Sequence, residues 1–157
     1  MPKDTALQPQ ASSDIHSVRM KFFTIGYGGR RPQEFLQLLQ AHCIKTVVDV
    51  RLRPDRASMG IYTQAKSPEK GIQALLRQAG IDYVPCIELG NLFRDDERWR
   101  ERYRSLLERA GDLLTERLAS VTSPFCLVCA EQKVHNCHRL AIAEYLVKHG
   151  WEVKHIE

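Results

Sequence analysis

Phe125-Cys126-Leu127-Val128-Cys129 is a run with no charged or amide side chain, followed at once by Ala130-Glu131. Five such residues are too few for a buried helix and the right number for a strand. Because every position is apolar, both faces of the strand must be covered, as in a parallel sheet with helices on each side. Working outward, Thr46-Val47-Val48-Asp49-Val50 reads the same way until Asp49. Phe22-Phe23-Thr24-Ile25 is a first strand ended by Gly26-Tyr27-Gly28-Gly29, Ile81 to Pro85 a third, and Trp151 to Ile156 a fifth. Between them lie helical patterns. Pro32 opens one with Phe35, Leu38, Leu39 and His42 at helical spacing, and Ser67-Pro68-Glu69 starts another that Gly80 stops. From about Asp96 a long amphipathic helix carries Trp99, Tyr103, Leu106, Leu107, Ala110, Leu114 and Leu118 on one stripe. Asn136 is expected to cap a last helix that runs to His149 and ends at Gly150. Strands alternating with helices predict an α/β fold, a three-layer sandwich with a mainly parallel, Rossmann-like five-stranded sheet and right-handed crossovers.

Residues 1–20 mix Pro, Ser, Gln and Asp without periodicity and are expected to be a disordered tail, leaving residues 21–157 as one domain. A chain of 157 residues, 43% hydrophobic and 27% charged, buries a core large enough to fold without a disulfide or metal staple. No apolar run is long enough to span a membrane, and no secretory signal pattern opens the chain. Five Cys, an odd number, suggest reduced thiols and a cytoplasmic location. A net charge of +4 is a mild bias toward anionic partners, either a small anionic substrate or nucleic acid, and leaves the oligomeric state open.

In such sheets ligands bind beyond the carboxyl ends of the strands. The unusual residues of this chain gather there. The first strand ends in Gly26 and Tyr27, the second in Asp49 and Arg51, and the fourth in Cys129 and Glu131; Cys137, His138 and Arg139 open the last helix on the same edge. Cys137 at a helix start beside His138 and Arg139 is a candidate thiolate nucleophile, against the plainer role of a packed core thiol. Glu131, just past a buried strand, is either an acid–base group with a raised pKa or the ion-pair partner of Arg139 or Arg51. Asp49 is expected to orient Arg51, and Arg51, Arg53 and Arg56, with Arg30 and Arg31, form a candidate anion clamp. His138 and Arg139 are expected to bind charge with Arg51, and Gly26, Tyr27 and Cys129 complete the expected binding edge.

Other chemistries fit less well. The phosphatase signature needs Arg six positions after a Cys, and those positions hold Asp49, Leu92, Gln132, His135 and Ala143. The dinucleotide fingerprint needs a third Gly at position 31, which is Arg. Cys126 and Cys129 share a strand at i and i+3 and so point to opposite faces, which breaks a zinc-type Cys-x-x-Cys pair. Cys129, Cys137 and His138 or His135 would still make a three-ligand set with Glu131 as base, although no motif names a cofactor. Arg94, Arg98, Arg100, Arg102 and Arg104, interleaved with Trp99 and Tyr103, suit a nucleic-acid face, offset by Glu97, Glu101, Glu108 and Glu116.

From about Lys21 onward the chain resembles the DUF488 family of uncharacterised bacterial and archaeal proteins. The resemblance is carried by Thr24-Ile25-Gly26, Asp49-Val50-Arg51 with Pro54, Leu89-Gly90, and above all Cys129-Ala130-Glu131 followed by the Cys137-His138-Arg139 (CHR) motif. Tyr27-Gly28 and Asn91 stand where members often carry His-Ser and a second Gly, so no role is carried to those positions. The resemblance implies an α/β fold and a shared polar site, and it supplies no reaction. The expectation from the residues is a small cytoplasmic enzyme, a thiol-dependent hydrolase or transferase acting on a phosphate-bearing or nucleotide substrate. Its rival is a non-catalytic module that binds an anion or a nucleic-acid strand.

Overall fold

A computed structural model describes residues 20–157, so all but the last residue of the expected tail lies outside the described residues. Five strands are present, β1 (Lys21–Gly26), β2 (Thr46–Asp49), β3 (Asp82–Pro85), β4 (Phe125–Cys129) and β5 (Glu152–Ile156). Four α-helices connect them, α1 (Pro32–Ala41), α2 (Gly71–Arg77), α3 (Trp99–Leu114) and α4 (Arg139–Lys148). Every strand pair is parallel, and the sheet is open with order β3-β2-β4-β1-β5. The three-layer α/β expectation is met. In this order β4 is inserted between β2 and β1, whereas doubly wound dinucleotide folds keep their first three strands together.

Alternation along the strands builds two cores. Phe23, Ile25, Val47, Cys126 and Val128 pack with Phe35, Leu39, Ile72 and Leu76 of α1 and α2 on one face. Phe22, Val48, Phe125, Leu127 and Cys129 pack with Tyr103 and Leu107 of α3 and Ile142 and Leu146 of α4 on the other. Cys126 and Cys129 therefore sit on opposite faces, as their spacing requires. Each fully buried large side chain contributes roughly 1.5–3 kcal/mol, and β4 is buried at every position.

Local sequence sets the helix ends. Pro32 takes the first turn of α1, where its missing N–H costs nothing, and Glu34 follows in the same turn. The last helix starts later than expected. Val134–Asn136 forms a 3₁₀ turn, and α4 begins at Arg139 with His138 as its N-cap, so Asn136 does not cap it. In place of a hydroxyl or carboxylate cap, the Arg139 N–H donates to Cys137 Sγ at 3.5 Å.

The crossovers fix where a ligand can enter. The chain leaves β1 and β2 toward the face of α1 and α2, and leaves β4 toward the face of α4. Because β4 lies between β1 and β2, the connections diverge on both sides of its carboxyl end. That end is Cys129. No described helix is long and apolar enough to cross a membrane.

Candidate functional site

The site is framed by a buried ion pair. Asp49, the last residue of β2, is completely buried, and its Oδ1 accepts the Arg51 backbone N–H at 3.1 Å and Nε–H at 2.9 Å. Its Oδ2 accepts Arg51 Nη2 and the Tyr83 hydroxyl, each at 2.6 Å. Arg51 also donates from Nη2 to the Tyr62 carbonyl at 2.7 Å and from Nη1 to the Tyr27 hydroxyl at 3.1 Å. Of its five N–H groups, one on Nη1 is left for the cleft that Arg51 lines. Burial opposes the charge on this guanidinium, yet Asp49 outweighs burial and holds it firmly protonated. Tyr27 stacks on Tyr62 with ring centroids 4.4 Å apart, so three elements are tied around one Arg. The expected role of Asp49 as orienter of Arg51 is the geometry found.

A second frame holds the turn after β4. Arg139 is fully buried, and its guanidinium donates to the carbonyls of Glu131 and Gln132, the latter at 3.0 Å. Arg139, expected with Arg51 and His138 to bind charge, instead sets Nη1 and Nη2 on these main-chain oxygens and Nε 3.4 Å from Thr24 Oγ1, and it does not line the cleft. Gly26 serves the same turn. A Cβ at this position would stand 1.8 Å from the Glu131 carbonyl oxygen, so only glycine lets β1 pass under it. Gly26 thus shapes the site through packing and is not among the residues that line the cleft.

Between these frames lies a cleft of ≈ 230 Å³. Its buried wall includes Tyr27, Arg51, Cys129 and His138, and its exposed rim includes Arg53, Arg56, Arg94 and Glu131. Arg53 is paired with Asp55 at 2.8 Å. Arg56 and Arg94 make no ion pair among the described residues, so the rim carries two uncompensated guanidinium groups. Trp99 also lines the cleft, although its spacing placed it on the core stripe of α3. Arg30 and Arg31 do not join this clamp. Arg30 is buried and donates to the Gly26 carbonyl at 2.8 Å, and Arg31 is the N-cap of α1.

Glu131 is exposed, and it pairs with neither Arg51 nor Arg139. The ion-pair reading of this residue is corrected. Its Oε2 instead accepts the Cys129 thiol at 3.1 Å. Cys137 is 3% exposed and lines not the cleft but a small pocket with Trp99, Arg100 and Leu140. The sulfur that faces the cleft is Cys129. His138 donates from Nε2 to the Val50 carbonyl at 2.8 Å and turns Nδ1 toward Cys137 Sγ at 3.7 Å. Tyr103 packs edge-on against this imidazole at 5.2 Å.

The two thiols share their chemistry. Cys129 hydrogen bonding pulls the Cys137 thiol well below its ordinary value against the opposing effect of burial, with His138 and Arg139 adding to the pull. The Cys137 contact and burial push Cys129 up, with Glu131 in the same direction. Burial alone would lower the His138 pKa, and the facing Cys137 sulfur raises it instead. By contrast, burial pushes Cys86 up to about 11. Sγ of Cys129, Sγ of Cys137 and a ring nitrogen of His138 all lie within 4.8 Å of one another. Such a cluster can hold a proton, a negative charge or a metal ion.

Three residues of this site gave no signal in the sequence. Tyr62 and Tyr83 bind the Arg51–Asp49 pair from an aperiodic loop and an edge strand, and Asn91, which is buried, lines the cleft. On α3 the arginines are largely engaged locally. Arg98 pairs with Glu101 at 2.8 Å, Arg102 with Asp96 at 3.2 Å and Arg104 with Glu144 at 3.3 Å, while Arg100 stacks over Trp99 at 4.4 Å. They form no continuous basic stripe.

No curated protein and no solved structure matches the chain significantly. A family model described as a domain of unknown function, DUF488, matches residues 31–146, a span that takes in β2 through most of α4 and contains both the Asp49–Arg51 pair and the Cys129–Arg139 segment. The chain belongs to the DUF488 family.

Proposed function

We propose that this protein is an enzyme acting on a phosphate-bearing or otherwise anionic substrate bound in the arginine cleft. The observation that carries the reading is one juxtaposition. The Cys129 thiol and Glu131 carboxylate, 3.1 Å apart, share a cleft with two unpaired guanidinium groups, Arg56 and Arg94. Arg56 and Arg94 draw the anion in, and the free Nη1–H of Arg51 orients it. Glu131 accepts and returns a proton at the cleft mouth, and the Cys129–Cys137–His138 cluster supplies the reactive sulfur chemistry of a thiol-dependent hydrolase or transferase. A cytoplasmic location fits five free thiols, which an oxidising compartment would not preserve.

A second reading is a non-catalytic module for an anionic ligand or nucleic-acid strand. What favours it is the sealing of Cys137 away from the cleft. Glu131→Gln and Cys137→Ser separate the two in an assay of turnover against phosphomonoesters, phosphodiesters and nucleotides. The enzyme reading expects each variant to lose on the order of 100-fold in kcat, within the range of one acid–base group. Wild-type turnover in both variants ends it. Ligand binding that weakens with salt and with Arg56→Ala, yet survives Cys137→Ser without turnover, establishes the module.

A further inference from the structure

We propose that Cys129 Sγ, Cys137 Sγ and His138 Nδ1 form a binding site for one divalent transition-metal ion of the zinc class, with its open coordination position toward the cleft. This deepens the reading above by naming what acts beside Glu131, and its test does not depend on that reading.

Four observations carry the site. The three donor atoms converge within 4.8 Å, and all three residues are buried. In a tetrahedral site with metal–sulfur bonds of about 2.3 Å and metal–nitrogen bonds of about 2.0–2.1 Å, adjacent donors stand roughly 3.5–3.8 Å apart. His138 Nδ1 and Cys137 Sγ stand 3.7 Å apart. The other ring nitrogen donates to the Val50 carbonyl at 2.8 Å, and Tyr103 abuts the ring. An imidazole anchored through one nitrogen, with the second aimed at sulfur ligands, is the outer-shell arrangement that fixes a metal-binding tautomer.

The donor set also selects the ion. Two thiolates and a neutral imidazole suit zinc, cobalt or ferrous iron and not calcium or magnesium. Two thiolates neutralise a divalent cation, so the loaded cluster is uncharged, as a buried site favours. On loading, both sulfurs bond the metal as thiolates and His138 through a neutral Nδ1; Glu131 Oε2, 3.1 Å from Cys129 Sγ, is placed to take the Cys129 proton, and any proton held between Cys137 and His138 Nδ1 leaves to solvent. Cys129 and His138 both line the cleft and Cys137 does not, so an open position on the ion would be reached from the arginine side. An anion held by Arg56 and Arg94 would reach that position. Glu131 then acts beside the metal as a proton acceptor rather than as a ligand.

The test is titration of chelator-treated, full-length protein with Co²⁺ alone. The expected result is one equivalent bound per chain, a thiolate-to-cobalt charge-transfer band, visible bands of tetrahedral intensity, and displacement by Zn²⁺. Cys126→Ser, on the opposite face of β4, leaves the spectrum unchanged. Glu131→Gln retains the bound ion. Cys137→Ser halves the charge-transfer band and weakens affinity by more than the roughly 10–100-fold typical of an outer-shell change. Zinc-dependent elevation of the wild-type Tm reads the same site without any variant. A wild-type protein with no charge-transfer band, or an unchanged spectrum in Cys137→Ser, overturns the site. Phosphate binding by metal-free protein that takes up no cobalt overturns this inference alone and leaves the anion cleft standing.

Discussion

Asp49→Ala is expected to destabilise the protein by about 3–5 kcal/mol, the cost of leaving a buried charge without its partner. Asp49 has no exposure and Arg51 is 6% exposed, so water cannot replace the carboxylate that Arg51 loses. The change also strands the Tyr83 hydroxyl and removes the acceptor for the Arg51 backbone N–H. At this chain length the loss lowers Tm by roughly 3 °C per kcal/mol. Denaturant unfolding checks it, with a lower midpoint and an unchanged slope. Asp49→Asn keeps an acceptor oxygen and loses the charge, so its cost is smaller. Combining Asp49→Ala with Arg51→Met recovers part of the loss, since the stranded cation is the main penalty.

Arg139→Met carries the second-largest effect, about 3 kcal/mol. Its removal leaves the Glu131 and Gln132 carbonyls without their donor, each at a cost of roughly 1–3 kcal/mol. Arg139→Lys does not rescue the variant, because an ammonium lacks the planar fork that reaches two carbonyls at once. The effect extends to the site. These carbonyls belong to the turn that sets Glu131 against Cys129, and the same Glu131 oxygen rests on Gly26. Any turnover therefore falls further in Arg139→Met than stability alone accounts for, which a kcat measurement on the folded fraction resolves.

The two sulfurs mark how far local sequence reaches. Their strand and the opposite facing of Cys126 and Cys129 follow from a period of two, and the gathering of Asp49, Arg51, Cys129 and His138 follows from strand ends sharing one edge. The reversal of Cys137 and Cys129 does not. Whether a thiol faces the cleft depends on the 3₁₀ turn over Val134–Asn136, which delays α4 by two residues beyond the expected Cys137 and turns Cys137 inward. Glu131 is exposed for a related reason, since Arg139 holds its backbone while its side chain points outward. Tyr62 lies in a segment with no periodicity, so its stacking on Tyr27 had no sequence counterpart. The insertion of β4 between β1 and β2 likewise depends on crossover order, which no single helix or strand encodes.

Trp99 offers the most direct view of the cleft, because it lines the cleft while the other tryptophan, Trp151, packs edge-on against Phe22 and Phe125. The decisive measurement is tryptophan fluorescence during titration with inorganic phosphate and, separately, with a nucleoside monophosphate. An anionic-substrate site gives a saturable change that weakens with added salt and shifts by about tenfold or more in Arg56→Ala/Arg94→Ala, consistent with the roughly 1.5–3 kcal/mol of a charged hydrogen bond. No saturable change with either ligand, or the same affinity in the double variant, would contradict the assignment of this cleft to an anionic substrate.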